Sequence, residues 1–364
     1  FGRSTYGYCS GGRIIASYWE DGLQRLDLIE SGSATPRADH EHSSHEYLVT
    51  DGASTAWFVG VGPNVPMRLV EMDVDRGLQT VVSSNSVPVD ESYISPGRIV
   101  TFPTGDGEEA YAVFYPPANP DFEAPAGELP PLIVQVHGGP TSHVVPALRT
   151  AFLYWTTRGF AVVDVNYRGS TGFGREYRNR LHGDWGLVDV EDCMAAARYL
   201  AAEGEVDRDR LAITGGSAGG FTTLAALAFE DDFAAGASYY GVADLGLLAE
   251  HTHKFESRYL DRLVAPEQMK ERSPLYSAHS ISVPVVLFQG LDDKVVPPEQ
   301  AEVIAEALAS AGIPHAHITY EGEDHGFRKA ENIIHSLESE LAFYGEVFGF
   351  SPAGDLPGVN LRGG

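Results

Sequence analysis

The stretch Leu211-Ala212-Ile213-Thr214-Gly215-Gly216-Ser217-Ala218-Gly219-Gly220, followed by the Ala- and Leu-rich run to Phe229, decides how the rest of the chain is read. The residues Leu211–Thr214 suit a buried strand, and the run from Ala218 suits a helix. Gly-x-Ser-x-Gly at such a strand–turn–helix junction holds a serine in a strained turn with its Oγ projecting. Neighbouring Cβ atoms there would clash with the crossing chain, which explains the glycines. The Ala218 N–H, at the helix start, is free to donate to a developing oxyanion. Ser217 is therefore the candidate nucleophile.

On either side of this junction β-like runs alternate with helical ones. The expected strands are 132–136, 160–166, 211–214, 237–240, 285–289 and 317–320, and the expected helices 189–202, 218–229, 298–311 and 330–348. Continuous apolar strands alternating with helices imply an α/β domain whose mostly parallel sheet is covered on both faces. Such sheets carry their chemistry in loops at the carboxyl ends of strands.

A serine hydroxyl needs a base to take its proton, and for this junction the partners follow in the order acid, then histidine. His325 lies in Glu321-Gly322-Glu323-Asp324-His325-Gly326-Phe327, after the last strand and before the last helix. His315 and His317 fall at a strand start, His335 within a helix, and His251 and His253 in a polar, helical segment. Their expected roles are structural. The acid belongs after the preceding strand, in Gly290-Leu291-Asp292-Asp293-Lys294-Val295-Val296-Pro297. Either Asp292 or Asp293 could reach the imidazole, whereas Glu323 and Asp324 lie too close to His325 to point back at its Nδ1.

Residues 1–95 have a different grammar, with about six short strands broken by reversals at Asp51-Gly52 and Arg76-Gly77. An antiparallel meander of this kind fits roughly one and a half propeller blades. Residues 96–131 read as an entry hairpin and a Pro- and Ala-rich linker, 132–350 as the α/β domain and 351–364 as a tail. The first residue is Phe1 rather than Met, so the chain is expected to start inside a longer protein.

The 364 residues carry a net charge of −26, which argues against binding phosphate backbones. No apolar run approaches the ~20 residues of a membrane span. The charge favours solubility, with attraction of cationic groups such as a peptide amino terminus as the other reading. Cys9 and Cys193 do not make a disulfide framework, which fits a reducing, cytoplasmic setting. Asp39-His40-Glu41-His42-Ser43-Ser44-His45-Glu46 is dense in ligand types. It is expected to be a solvated link rather than a metal centre, because ligands must also converge. The glycine-rich turns match no phosphate or dinucleotide motif, so no cofactor is expected.

Taken together, five motifs resemble those of the prolyl oligopeptidase family of serine peptidases, in its acylaminoacyl-peptidase and dipeptidyl-peptidase-like branch. They are His137-Gly138-Gly139-Pro140, Asn166 to Gly174, Gly215 to Gly220, the Gly290 to Pro297 loop, and Asp324-His325-Gly326, within residues 97–350. The resemblance implies an α/β-hydrolase domain preceded by the last blades of a β-propeller. It also implies hydrolysis of short peptides or aminoacyl and acyl-aminoacyl amides, with esterase or antibiotic-hydrolase chemistry as the alternative. The family's acid maps to Asp293. Phe173 stands where many members place an oxyanion-hole tyrosine, so backbone amides of Ala218 and of Gly138 or Gly139 would serve, with His137 organising that loop. Val242 and Phe255 map to the apolar pocket wall. The partners implied are a small substrate and the remainder of the propeller; self-association stays open.

Overall fold

The computed structural model describes residues 4–37, 39–87, 89–251 and 258–363. Two small antiparallel sheets come first. One contains β1 (Tyr6–Cys9), β2 (Arg13–Glu20), β3 (Leu23–Glu30) and β4 (Ser33–Arg37). The other contains β5 (Ser44–Thr50), β6 (Thr55–Val61), β7 (Arg68–Asp73) and β8 (Leu78–Ser84). The described residues of the first 95 thus form two four-stranded, blade-like sheets rather than the expected one and a half blades. β1 escapes a hydrophobic reading because it is only four residues long with Cys9 alone buried, and β4 because its residues are mostly exposed and it carries Pro36, which only an edge strand tolerates. Ile15, Leu26, Leu28, Leu48, Phe58, Val70 and Met72 form one core between the two sheets.

The third sheet has eight strands: β9 (Arg98–Pro103), β10 (Glu109–Tyr115), β11 (Leu132–Val136), β12 (Ala161–Asn166), β13 (Leu211–Gly216), β14 (Ala235–Tyr239), β15 (Val285–Gly290) and β16 (His315–Tyr320). Their order is β9-β10-β12-β11-β13-β14-β15-β16. The entry hairpin is built into this sheet as its antiparallel edge, and β11 to β16 run parallel.

The helices are α1 (Thr150–Thr156), α2 (Gly174–Asn179), α3 (Val188–Ala202), α4 (Ala218–Phe229), α5 (Leu245–His251), α6 (Met269–Arg272), α7 (Glu299–Ala311) and α8 (Ala330–Phe348). Side-chain alternation sorts the sheet's residues between two cores. Leu132, Val134 and Val136 join α3, α4 and α7 on one face. Ile133 and Val162 join Phe152, Trp155, Phe343 and Tyr344 of α1 and α8 on the other. The tail returns along the β16 edge, where Arg362 and His315 exchange backbone hydrogen bonds of 2.8 and 2.9 Å.

Because β11 sits between β12 and β13, the chain leaves the sheet in opposite directions on either side of it. The loop after β11 therefore emerges beside the loop after β13, at the switch point where α/β sheets bind ligands. The β2–β3 turn docks on the same rim. Gly22 N–H donates to Gly172 O at 3.3 Å, and the Trp19 ring meets His143 edge-on at 4.1 Å.

Candidate active site

Ser217 occupies the turn between β13 and α4 with φ 59° and ψ −123°, a strained conformation for a residue with a side chain. Its N–H donates to Tyr239 O at 3.0 Å, and its carbonyl accepts the Phe221 N–H at 3.0 Å. The strain is held by packing that leaves no room for side chains. A Cβ at Gly219 would lie 2.2 Å from Val136 O, and one at Gly215 would lie 2.6 Å from Gly219 O. Ala218 opens α4, where the first N–H groups have no partner within the helix.

His325 and Asp293 come from the loops after β16 and β15. The His325 Nδ1 lies 2.7 Å from Asp293 Oδ2, with the Asp293 side chain fully buried and the imidazole 21% exposed. The other carboxylate oxygen, Oδ1, accepts the N–H groups of Val295 and Val296 at 2.8 and 2.9 Å. Both oxygens are thus committed, and the carboxylate cannot swing. Asp292 is exposed and turns away, and its N–H donates to Glu323 O at 2.9 Å. The two loops touch closely: a Cβ on Gly290 would lie 2.6 Å from Glu323 O and 2.7 Å from Asp324 O.

Glu323 and Asp324 serve the backbone. Burial pushes the Glu323 carboxyl upward, but donation from Asn332, Arg328 and Lys329 leaves it below the usual glutamate range. Asp324 accepts the His325 N–H at 2.8 Å, which holds its carboxyl low. His315 and His335 are engaged elsewhere: His315 Nδ1 on Ile313 O, and His335 Nδ1 on the Tyr320 hydroxyl.

The loop after β11 passes Ser217, since a Cβ at Gly138 would stand 3.5 Å from Ser217 Cβ. Gly139 follows with φ 133°, a conformation open to glycine. His137 organises this loop: its Nδ1 meets Gly138 O and its Nε2 meets Ser170 Oγ, each at 2.8 Å, and its ring stacks on Tyr167. Burial lowers its imidazole to about 4, so it stays neutral near pH 7.

Phe173 stacks face to face on Tyr111 at 4.2 Å and lies under Gly22, at the contact with the blade-like sheets. Val242 is 2% exposed and follows Gly241, which abuts Gly220 of α4. Phe255 lies outside the described residues, as does His253. The motifs did not reveal Tyr240, which follows β14 and meets His325 edge-on at a ring distance of 4.9 Å.

The histidine-rich segment before β5 differs from the solvated link expected. The side chains of Asp39, His42 and His45 are buried, and one ligand-type atom from each lies within 4.8 Å of the others. Asp39 Oδ2 stands 2.7 Å from His42 Nδ1 and 2.9 Å from His45 Nε2. Two ligands of one tetrahedral ion would stand farther apart, at roughly 3.3 Å for bonds of ~2.0 Å. Arg68 Nε–H donates to His42 Nε2 at 2.8 Å, so the proton of neutral His42 sits on Nδ1 and points at Asp39. Burial alone would raise the Asp39 carboxyl, but the two imidazoles hold it well below the usual range. The set is a hydrogen-bonded knot that pins the segment against Phe58.

Residues 146–351 match the family model described as the prolyl oligopeptidase family. The chain belongs to that family of serine peptidases. It is 32% identical over 226 residues to dipeptidyl aminopeptidase BIII of Pseudoxanthomonas mexicana, covering 59% of this chain and 32% of that protein. To the acylamino-acid-releasing enzyme of Mus musculus it is 31% identical over 234 residues, covering 59% and 32%. The solved structure of a Mycobacterium tuberculosis puromycin-hydrolyzing peptidase superposes with a TM-score of 0.95 at 43% identity, covering 100% of this chain and 56% of that one. The chain thus spans about a third of these curated relatives and just over half of the solved neighbour. Among the described residues no helix is long and apolar enough to cross a membrane.

Proposed function

We propose that this chain carries the catalytic centre of a peptidase that cleaves short peptides or aminoacyl and acyl-aminoacyl amides through an acyl-enzyme. Ser217 Oγ attacks the carbonyl carbon while His325 Nε2 takes its proton. The tetrahedral intermediate collapses by breaking the C–N bond, and the imidazolium returns the proton to the leaving amine. Water then repeats the sequence on the ester. Asp293 keeps the imidazole proton on Nδ1 and stabilises the imidazolium. The N–H groups of Ala218 and Gly139 receive the oxyanion, and Val242 contributes to the apolar wall beside the nucleophile.

The observation that carries this reading is the 2.7 Å contact between His325 Nδ1 and an Asp293 carboxylate locked by two backbone donors. A fluorophosphonate is expected to label Ser217 in the complete protein, and Ser217→Ala is expected to remove both labelling and turnover. Full activity in that variant overturns the reading.

A second reading, hydrolysis of puromycin or another aminoacyl antibiotic, is favoured by the 43% identity that runs along the whole chain. Comparing kcat/KM on puromycin, aminoacyl amides, acyl-aminoacyl amides and simple esters separates the two. The buried, unpaired Cys9 and Cys193 support a cytoplasmic setting.

A further inference from the structure

Tyr240 follows the last residue of β14, between the ends of β13 and β15. Its φ is +38°, a region in which a bulky residue is an outlier. Such strain persists only where the surroundings over-determine it, and it clusters at working sites. The backbone is pinned from both sides, with the Tyr240 N–H on Phe288 O at 2.7 Å and Tyr239 O taking the Ser217 N–H.

The ring is wedged among the parts of the site. A Cβ on Gly216, the residue before the nucleophile, would lie 2.9 Å from the ring's Cε2 and 3.1 Å from its hydroxyl. One on Gly326, the residue after the base, would meet that same hydroxyl at 3.9 Å. The ring also packs edge-on against His325, at 63° and 4.9 Å, and against Phe327, at 82° and 5.6 Å. Asp293 holds one edge of the imidazole through Nδ1 but leaves the ring free to rock about that bond. An aromatic edge against the imidazole is the contact that stops the rocking.

Resting on the catalytic reading above, we infer that Tyr240 is a positioning residue, whose ring sets the plane of the His325 imidazole relative to Ser217 across the gap between their loops. Burial and the Asp293 carboxylate both raise the phenol's pKa, so the side chain is neutral wherever the enzyme works. It is the ring's shape, rather than its charge, that acts.

The strained backbone supplies a clean test. Tyr240→Gly removes the ring and suits positive φ, so it relieves strain rather than adding it. Tyr240→Phe keeps the ring and drops only the hydroxyl. Kinetics on an aminoacyl amide are measured for both in the complete protein, with fluorophosphonate inactivation rates and thermal midpoints alongside. Tyr240→Phe is expected within about threefold of wild type, and Tyr240→Gly is expected to lose about a hundredfold in kcat with KM little changed. The labelling rate should fall with kcat, while circular dichroism at the assay temperature shows both variants folded, the Gly variant with a lower thermal midpoint from the lost ring packing.

Wild-type kcat in the Gly variant overturns the inference, and so does a loss in the Phe variant as deep as in Gly. Either result leaves the catalytic reading standing so long as wild type is still labelled at Ser217. A wild type that is not labelled refutes the catalytic reading itself.

Discussion

Asp292 and Asp293 are chemically identical neighbours with opposite fates, and the difference is wholly one of surroundings. Asp293 is buried with both oxygens occupied, whereas Asp292 is exposed and bound through its backbone. Asp293→Asn keeps the size and can still accept the Val295 and Val296 N–H groups. Its amide would donate to Nδ1, however, and force the wrong imidazole tautomer. A loss of about ten-thousandfold in kcat is expected with the fold intact, by analogy with the same change in other serine peptidase triads. Asp292→Asn is expected within about twofold of wild type, as for other exposed substitutions. Steady-state rates with circular dichroism as the folding control check both.

At the scale of elements, the site is a meeting of five loops at adjacent strand ends, and glycine lets their backbones touch. The Val136 carbonyl of β11 reaches the first turn of α4 only because Gly219 has no side chain. Gly219→Ala should cost on the order of 2–3 kcal/mol through overpacking against backbone that cannot yield. Gly358→Ala in the tail, where an added Cβ meets nothing within 4 Å, should leave stability unchanged. Thermal midpoints of the two variants against wild type make the comparison. Most of these elements were legible from hydrophobic pattern: α4 and α8 have the expected bounds, and β11 is placed residue for residue. The short helices α1, α2 and α6 were not, because they are set by packing rather than by a periodic run long enough to read.

For the whole molecule, the buried titratable groups set how stability follows pH. His137 is lowered to about 4 from an unfolded value near 6.5 by burial. Between those values the unfolded chain binds the extra proton, so stability is lost as pH falls through that window. The shift of ~2.5 units corresponds to about 3 kcal/mol. Buried Asp164 and Asp189 are raised to about 6, again by burial, and act with the opposite sign. They add stability as pH falls from 6 towards the ordinary aspartate value. The expected outcome is therefore a difference: between pH 6.5 and 4, His137→Gln should lose about 3 kcal/mol less than wild type in denaturant titrations. Parallel curves would show that His137 is not the titrating group.

What the sequence by itself determined is everything encoded by neighbours along the chain. That includes the serine in its strained turn, the parallel sheet and its main helices, the histidine loop, and the change of grammar near residue 95. What only the tertiary structure decided depends on segments far apart in sequence. It brought Asp293, to which the family resemblance already pointed but which local pattern could not separate from Asp292, against the imidazole, filled a solvated-looking link with a buried Asp39–His42–His45 knot, and put Tyr240 against His325. The physical reason is that periodicity and turn chemistry act over a few residues. The approach of one loop to another is set by sheet order and burial, which no local pattern records.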